Sequence, residues 1–191
     1  MVLPTSSETA SGWRLRLAEM TDVEALNRLI ALSVRGLQVR DYSSEQIEAA
    51  LGTVFGVDRA LIQDRTYFAV EAAGEMVACG GWSRRRALCG SDAMHAHAES
   101  KETLDPRSDA ARIRAFFVHP QWARRGIGRA LLAASEAAIA AAGFQRIELM
   151  ATLTGEGLYA ASGYTVVSRE TISLAGGLQL PVTRMQRTWG C

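Results

Sequence analysis

The chain is poor in cysteine and proline, with three and four among 191 residues. Cys79, Cys89 and Cys191 are odd in number and form no Cys-x-x-Cys pair, which excludes a disulfide framework and fits a reducing, cytoplasmic setting. Net charge is missing too: Lys+Arg 21 against Asp+Glu 20 leaves +1. That balance speaks against a globally basic nucleic-acid binder and against an acidic tail, so any charge effect is local. Long apolar runs are absent. The most apolar stretch, Ala130 to Phe144, is broken by Ser135 and Glu136 before the roughly 20 residues needed to cross a bilayer. The first residues, 1–12, contain Pro4, Thr5, Ser6 and Ser7 without a basic region ahead of an apolar one, and read as a flexible leader, not a signal. There is no internal repeat and no low-complexity tract.

What is there is ordinary globular material, 48% hydrophobic and 21% charged, and at roughly 150 residues per domain it makes one unit, residues 13–191. Trp13 to Leu17 alternates apolar and basic, a half-buried strand. Thr21-Asp22-Val23-Glu24 has the form of a capping box, with Val23, Leu26, Ile30 and Leu37 following at helical spacing. Ser43-Ser44-Glu45-Gln46 opens a second helix through Ile47 and Leu51. Thr66–Glu71 and Met76–Trp82 flank Ala73-Gly74 as a hairpin. The stretch 84–110 loses periodicity and is expected as a loop insert, with a helix near Met94–Glu102 as the alternative. Ile113–Val118, Ile127–Ala142 and Ile147–Ala151 make a strand, helix, strand crossover, the helix ended by Gly143. A short helix, Glu156–Ser162, precedes an antiparallel pair, Tyr164–Leu174 and Leu178–Met185, across Gly176-Gly177. A parallel crossover between hairpins requires a mixed sheet.

Between the crossover strand and its helix lies Trp122-Ala123-Arg124-Arg125-Gly126-Ile127-Gly128-Arg129. A helix N-terminus carries partial positive charge and disfavours arginine by about 0.3 to 1 kcal/mol each, unless an anion sits among them. Glycines let backbone amides close on a phosphate and arginines add charge-assisted bonds, so the turn reads as a pyrophosphate cradle. The alternative is a solvated basic turn. A Walker loop is excluded, because Gly128 is followed by Arg129 and Ala130. A dinucleotide fingerprint would need glycine where Leu131 stands and would start directly after the strand.

Three segments in order, Phe116-Phe117-Val118-His119-Pro120, Arg125-Gly126-Ile127-Gly128-Arg129-Ala130-Leu131-Leu132 and Leu158-Tyr159-Ala160-Ala161-Ser162-Gly163-Tyr164, resemble the GNAT N-acetyltransferase superfamily. The resemblance runs from Leu15 to Arg187 and is weakest over the insert. It implies an α/β fold with a central mixed sheet, a splayed parallel pair and helices on both faces. It implies acetyl-CoA as co-substrate, no metal, and a small-molecule or peptide amine as acceptor, attacked directly in a ternary complex. The strand end Phe116, Phe117 and Val118 would meet the pantetheine arm, with a backbone amide near Val118 polarising the thioester carbonyl. Arg124, Arg125, Gly126, Ile127, Gly128 and Arg129 would hold the pyrophosphate, and Tyr159 would protonate the departing thiolate. The family usually has Gln or Arg three residues before the first glycine; here Ala123 stands there, beside Arg124.

A general base is harder to name. Glu148 faces either the cleft, as the base, or Arg114 on the neighbouring strand, as an ion pair. His119 offers a relay through water or is an inert turn residue. Tyr42, Tyr67 and Trp82 are candidates for the acceptor cleft, core packing being the alternative for Tyr67 and Trp82. Arg84-Arg85-Arg86 is either an acceptor-steering patch or a solvated surface. His95 and His97 lack a third ligand, so no metal site is expected. An exposed C-terminal strand would serve a homodimer. The alternative function is a non-catalytic acyl-CoA-binding regulatory module that kept the cradle without the chemistry; no nucleic acid or membrane partner is expected.

Overall fold

A computed structural model describes residues 12–93 and 102–189. The leader, residues 1–11, the helix alternative over 94–101, His95, His97 and Cys191 lie outside the described residues. The first alternating stretch forms strand β1 (Arg14–Leu17), and after a 3-10 turn comes helix α1 (Val23–Leu37). The expected Thr21–Glu24 box is replaced by one starting earlier: the Asp22 carboxylate accepts the Glu19 N–H at 2.7 Å. Arg16 holds the same carboxylate through bonds of 2.7 and 2.8 Å, and this tertiary grip overrides the local spacing. Helix α2 (Ser44–Ala50) opens as expected, Ser43 Oγ accepting the Gln46 N–H at 3.2 Å and Gln46 accepting the Ser43 N–H at 2.8 Å. Helix α3 (Arg59–Gln63), capped by Asp58, is not foreshadowed by periodicity, because 5 residues show little of a helical period.

Strands β2 (Tyr67–Ala72) and β3 (Glu75–Ser83) form the expected hairpin. Ala73 at φ 51° and Gly74 at φ 80° place both turn residues in the left-handed region, as a type I′ turn demands. Strand β4 (Ala111–Val118), helix α4 (Ile127–Ala141) and strand β5 (Arg146–Thr152) make the crossover. Helix α5 (Glu156–Ala160) leads to strands β6 (Thr165–Ser173) and β7 (Gln179–Thr188), the last continuing past Met185.

The sheet order is β1-β2-β3-β4-β5-β7-β6, with β4 and β5 parallel and the other neighbours antiparallel. The C-terminal strand β7 is therefore interior, between β5 and β6, and the exposed edge on that side is β6. One face packs Leu26, Ile30, Leu61, Tyr67 and Phe117 beneath α1 to α3; the other packs Ile127, Leu131, Leu132, Ile139 and Leu149 beneath α4 and α5. The insert is more ordered at its ends than its composition suggests. Leu104 is buried, its N–H donates to the Arg84 carbonyl at 2.7 Å, and the Arg86 N–H donates to the Glu102 carbonyl at 3.0 Å.

Candidate active site

The parallel pair begins to part almost as soon as it forms. Ala111, Arg112 and Ile113 pair with Ile147, Glu148 and Leu149, and beyond them β4 and β5 diverge. The cause is local: the β3–β4 register shifts between Cys79 and Gly81, and Ala115 takes φ 54°, a bulge that re-aims the rest of β4. Gly80 permits it, since a Cβ there would stand 2.6 Å from the Phe116 ring. The Tyr67 hydroxyl pins the bulge by donating to the Ala115 carbonyl at 2.9 Å. Between the parted strands opens a cavity of about 230 Å³, walled by Phe116, Phe117 and Val118 on one side and by Met150, Ala151 and Thr152 on the other. Phe117 meets Phe55 edge-on at 6.2 Å on the α1 face, whereas Phe116 meets Tyr159 at 6.2 Å on the α4 face. The cavity thus reaches both faces of the sheet.

On the α4 face the arginine turn sits beside this opening. Arg124 at φ 63° and Gly126 at φ 82° fold the chain sharply into α4, whose first turn contains no acidic residue. Its leading N–H groups have no intrahelical partner, the first bond into the helix being Ala130 N–H to the Gly126 carbonyl at 3.0 Å. Arg124, Arg125 and Arg129 are exposed, and no ion pair among the described residues engages them. Arg125 lies over the Trp122 ring at 4.7 Å. Gly128 lines the cavity, and a Cβ there would come within 3.3 Å of Leu158. Ile127 is buried in the core, so at this turn it has only its backbone to offer a ligand. Of the residues expected to hold a nucleotide, Phe116, Phe117, Val118 and Gly128 line the cavity, and the rest form the turn leading to it.

Tyr159 also lines the cavity, its ring held between Phe116 and Tyr164. No hydrogen bond among the described residues involves its hydroxyl, and burial pushes its pKa well above the ordinary value of 10.0. The Val118 N–H is engaged, donating to Ser33 Oγ at 3.1 Å. Ser33 lines the same cavity.

Glu148 is ion-paired, but not with Arg114. Arg112 stands opposite it in the register and donates at 2.5 Å, while Arg184 of β7 donates to the same oxygen at 2.7 Å. Arg114 falls beyond the last paired residues and turns to Asp58 at 3.1 Å and to the carbonyls of Ala87 at 2.9 Å and Gly90 at 2.7 Å. Burial works against its charge and Asp58 sustains it. Glu148 is not among the residues lining the cavity.

The expected cleft aromatics are structural. Tyr42 donates to the Pro181 carbonyl at 2.7 Å and accepts from the Leu153 N–H at 2.8 Å; Tyr67 and Trp82 are buried in the core. His119 caps the 3-10 turn Pro120–Trp122 through Nδ1, which accepts the Gln121 N–H at 3.2 Å. The Arg84–Arg86 run is spent locally: Arg84 over Trp82, Arg85 on Asp64, Arg86 on Glu102. The α1-side walls come instead from Gln38, Val54, Phe55, Leu88, Cys89, Ile172 and Val182, which sequence reasoning missed because they converge from separate segments without a shared motif.

A family model described as an acetyltransferase (GNAT) domain matches residues 38–185. The chain belongs to the GNAT acetyltransferase family. Members of this family generally use acetyl-CoA. Solved GNAT structures share the fold. A GCN5-related N-acetyltransferase from Rhodopseudomonas palustris aligns at 23% identity over 99% of each chain, with a TM-score of 0.67. The PaiA N-acetyltransferase of Thermoplasma acidophilum, solved with coenzyme A, aligns at 13% identity over 93% of this chain and 99% of that one, TM-score 0.61. A GNAT acetyltransferase from Brucella melitensis, solved with acetyl-CoA, aligns at 14% identity over 94% and 89%, TM-score 0.55. The search of curated proteins finds no match. Among the described residues, no group of three or more His, Cys, Asp or Glu is placed to hold a metal ion, and no helix is long and apolar enough to cross a membrane.

Proposed function

We propose that this GNAT protein moves the acetyl group of acetyl-CoA to an amine by direct attack in a ternary complex. The observation that carries the reading is the parting of β4 from β5 beside a helix N-terminus ringed by three exposed, unpaired arginines. The residues present suit the donor. Arg124, Arg125 and Arg129, with the backbone amides of Gly126, Ile127 and Gly128, offer charge and N–H groups to a pyrophosphate. Phe116, Phe117 and Val118 offer the pantetheine arm a strand with no neighbour on its β5 side. Bound acetyl-CoA supplies the electrophilic thioester.

The chain's own contribution is then positional and electrostatic. The Val118 N–H exchanges its bond to Ser33 for one to the thioester carbonyl. The amine nitrogen attacks the carbonyl carbon, the carbon–sulfur bond breaks with its electron pair going to sulfur, and the nitrogen's surplus proton passes through solvent to the thiolate, giving amide and free thiol. Tyr159 donates a hydrogen bond to that sulfur. With its pKa above 10 against a thiol's about 8.5, complete proton transfer is uphill by more than about 2 kcal/mol, so the phenol acts as a hydrogen-bond donor first. Among the described residues no carboxylate or imidazole lines the cavity to deprotonate the amine. An alkylammonium of pKa about 10.4 costs about 4 kcal/mol to deprotonate at about pH 7.5, an α-amine under about 1.

That same lack of a base favours a second reading, a non-catalytic acyl-CoA-binding module. Calorimetric titration with acetyl-CoA at two salt concentrations, followed by thiol release on adding amines, separates the two. Binding that weakens with salt, with release, is the expected result; binding without release supports the module. No binding by folded protein would sink both. A homodimer, if formed, would pair along β6, where Val166 and Val167 are exposed.

A further inference from the structure

The α1 side of the cavity is walled by Val54, Phe55, Leu88, Ile172 and Val182. Among the described residues the lining contains no Asp, Glu, Lys or His, and the one guanidinium among them, Arg114, is closed on Asp58 and two carbonyls. Other charged or titratable groups stand at its margins. Asp41 accepts the hydroxyl of Thr154 on the rim, Glu170 lies near Cys89, and burial pushes the Cys89 thiol up, so that it stays neutral. A second ammonium would therefore find no free carboxylate in this lining, and an acceptor carboxylate would find no free cation.

One polar side chain in the wall is unsatisfied. Gln38, the residue that ends α1, is 6% exposed and lines the cavity, and its Oε1 has no hydrogen-bond partner. A buried carboxamide oxygen without a donor is uncommon, because nothing replaces the water it has lost. An acceptor's N–H is such a donor.

Resting on the acetyl-transfer reading, we propose that the acceptor is a monoamine with an apolar body, and that the Gln38 carboxamide hydrogen-bonds its amino group and positions the nitrogen. The body packs on Phe55, Leu88, Ile172 and Val182. With no free counter-charge among the described residues of the walls, the neutral amine is the form held.

The test uses the full chain. Acetyl-CoA is titrated first; then thiol release is compared with 2-phenylethylamine, spermidine and glutamate, and binding of 2-phenylethylamine to the coenzyme A complex is measured. The expected result is a kcat/KM at least about tenfold higher for 2-phenylethylamine than for the others. Gln38→Leu should raise its KM about tenfold and leave the acetyl-CoA Kd unchanged. Gln38→Glu, which keeps an acceptor oxygen and adds charge, should shift preference toward spermidine. Preference of the wild type for spermidine or glutamate, or no binding of 2-phenylethylamine to the coenzyme A complex, would overturn the substrate class. An unchanged KM in a folded Gln38→Leu protein, or an unshifted preference in Gln38→Glu, would overturn the role of Gln38. Failure at the first titration removes the transfer reading, and this proposal with it.

Discussion

Two groups of arginines lie on opposite faces of the sheet. On the α1 face Arg112 and Arg114 are buried, and with Arg184 each meets a carboxylate: Glu148 for Arg112 and Arg184, Asp58 for Arg114. On the α4 face Arg124, Arg125 and Arg129 are exposed and meet none. The first group spends its charge on holding strands and a loop together; the second leaves its charge to solvent, as the proposed pyrophosphate cradle requires. Under that proposal the difference separates a structural use of arginine from a binding use.

The largest expected effect strikes the buried group. Arg114→Met takes from the buried Asp58 its guanidinium, and urea denaturation should show a loss of about 3 to 5 kcal/mol, of which adding Asp58→Leu recovers only a part, because Asp58 also caps α3. If the single change is silent, the buried pair is not structural and the comparison fails. Next comes the exposed group: charge reversal at Arg124 and Arg129 together should weaken acetyl-CoA binding about a hundredfold and flatten its salt dependence, while stability stays within about 0.5 kcal/mol of wild type. Unchanged affinity by calorimetry would place the anion elsewhere.

Between the two groups stands Tyr159, polar and uncharged. Tyr159→Phe should lower kcat about tenfold or more with acetyl-CoA affinity nearly intact. Because burial raises its pKa, the phenol keeps its proton through ordinary alkaline pH, so kcat/KM should rise toward the amine's pKa with no falling limb assignable to Tyr159. The smallest effect concerns Arg16, which holds Asp22 and Glu71 below their ordinary values of 3.8 and 4.5. A lowered carboxylate stabilises the fold above its unfolded pKa and loses that contribution as pH falls through the folded one. Arg16→Met should therefore cost about 1 kcal/mol at neutral pH, a deficit that fades in acid unfolding experiments as the pH falls below those ordinary values.

The strand, turn and helix from Phe116 to Leu132 were legible because their signals are local: β-rich residues, Pro120, and glycines at a helix start. Likewise Ser43 capped its helix as its spacing announced. Thr21 did not, because Arg16 draws Asp22 into the cap from another element. Register was also hidden. Arg112 and Arg114 point to the same face of β4, and the parallel pairing with β5 decides which of them meets Glu148, something that neither strand's sequence encodes. The acceptor side was the least legible part. Gln38, Phe55, Leu88, Ile172 and Val182 belong to five separated stretches, and only the fold makes them neighbours.

The wall at Leu88–Gly90 has its own anchors. Arg114 grips the carbonyls of Ala87 and Gly90, Ser91 N–H donates to the Thr53 carbonyl at 2.7 Å, and Asp92 is held by Arg59. Across the way, Glu102 and Leu104 are tied back to Arg86 and Arg84. The two segments 88–92 and 102–104 are therefore each fixed to the body of the domain by bonds of their own, so that a change in one need not displace the other.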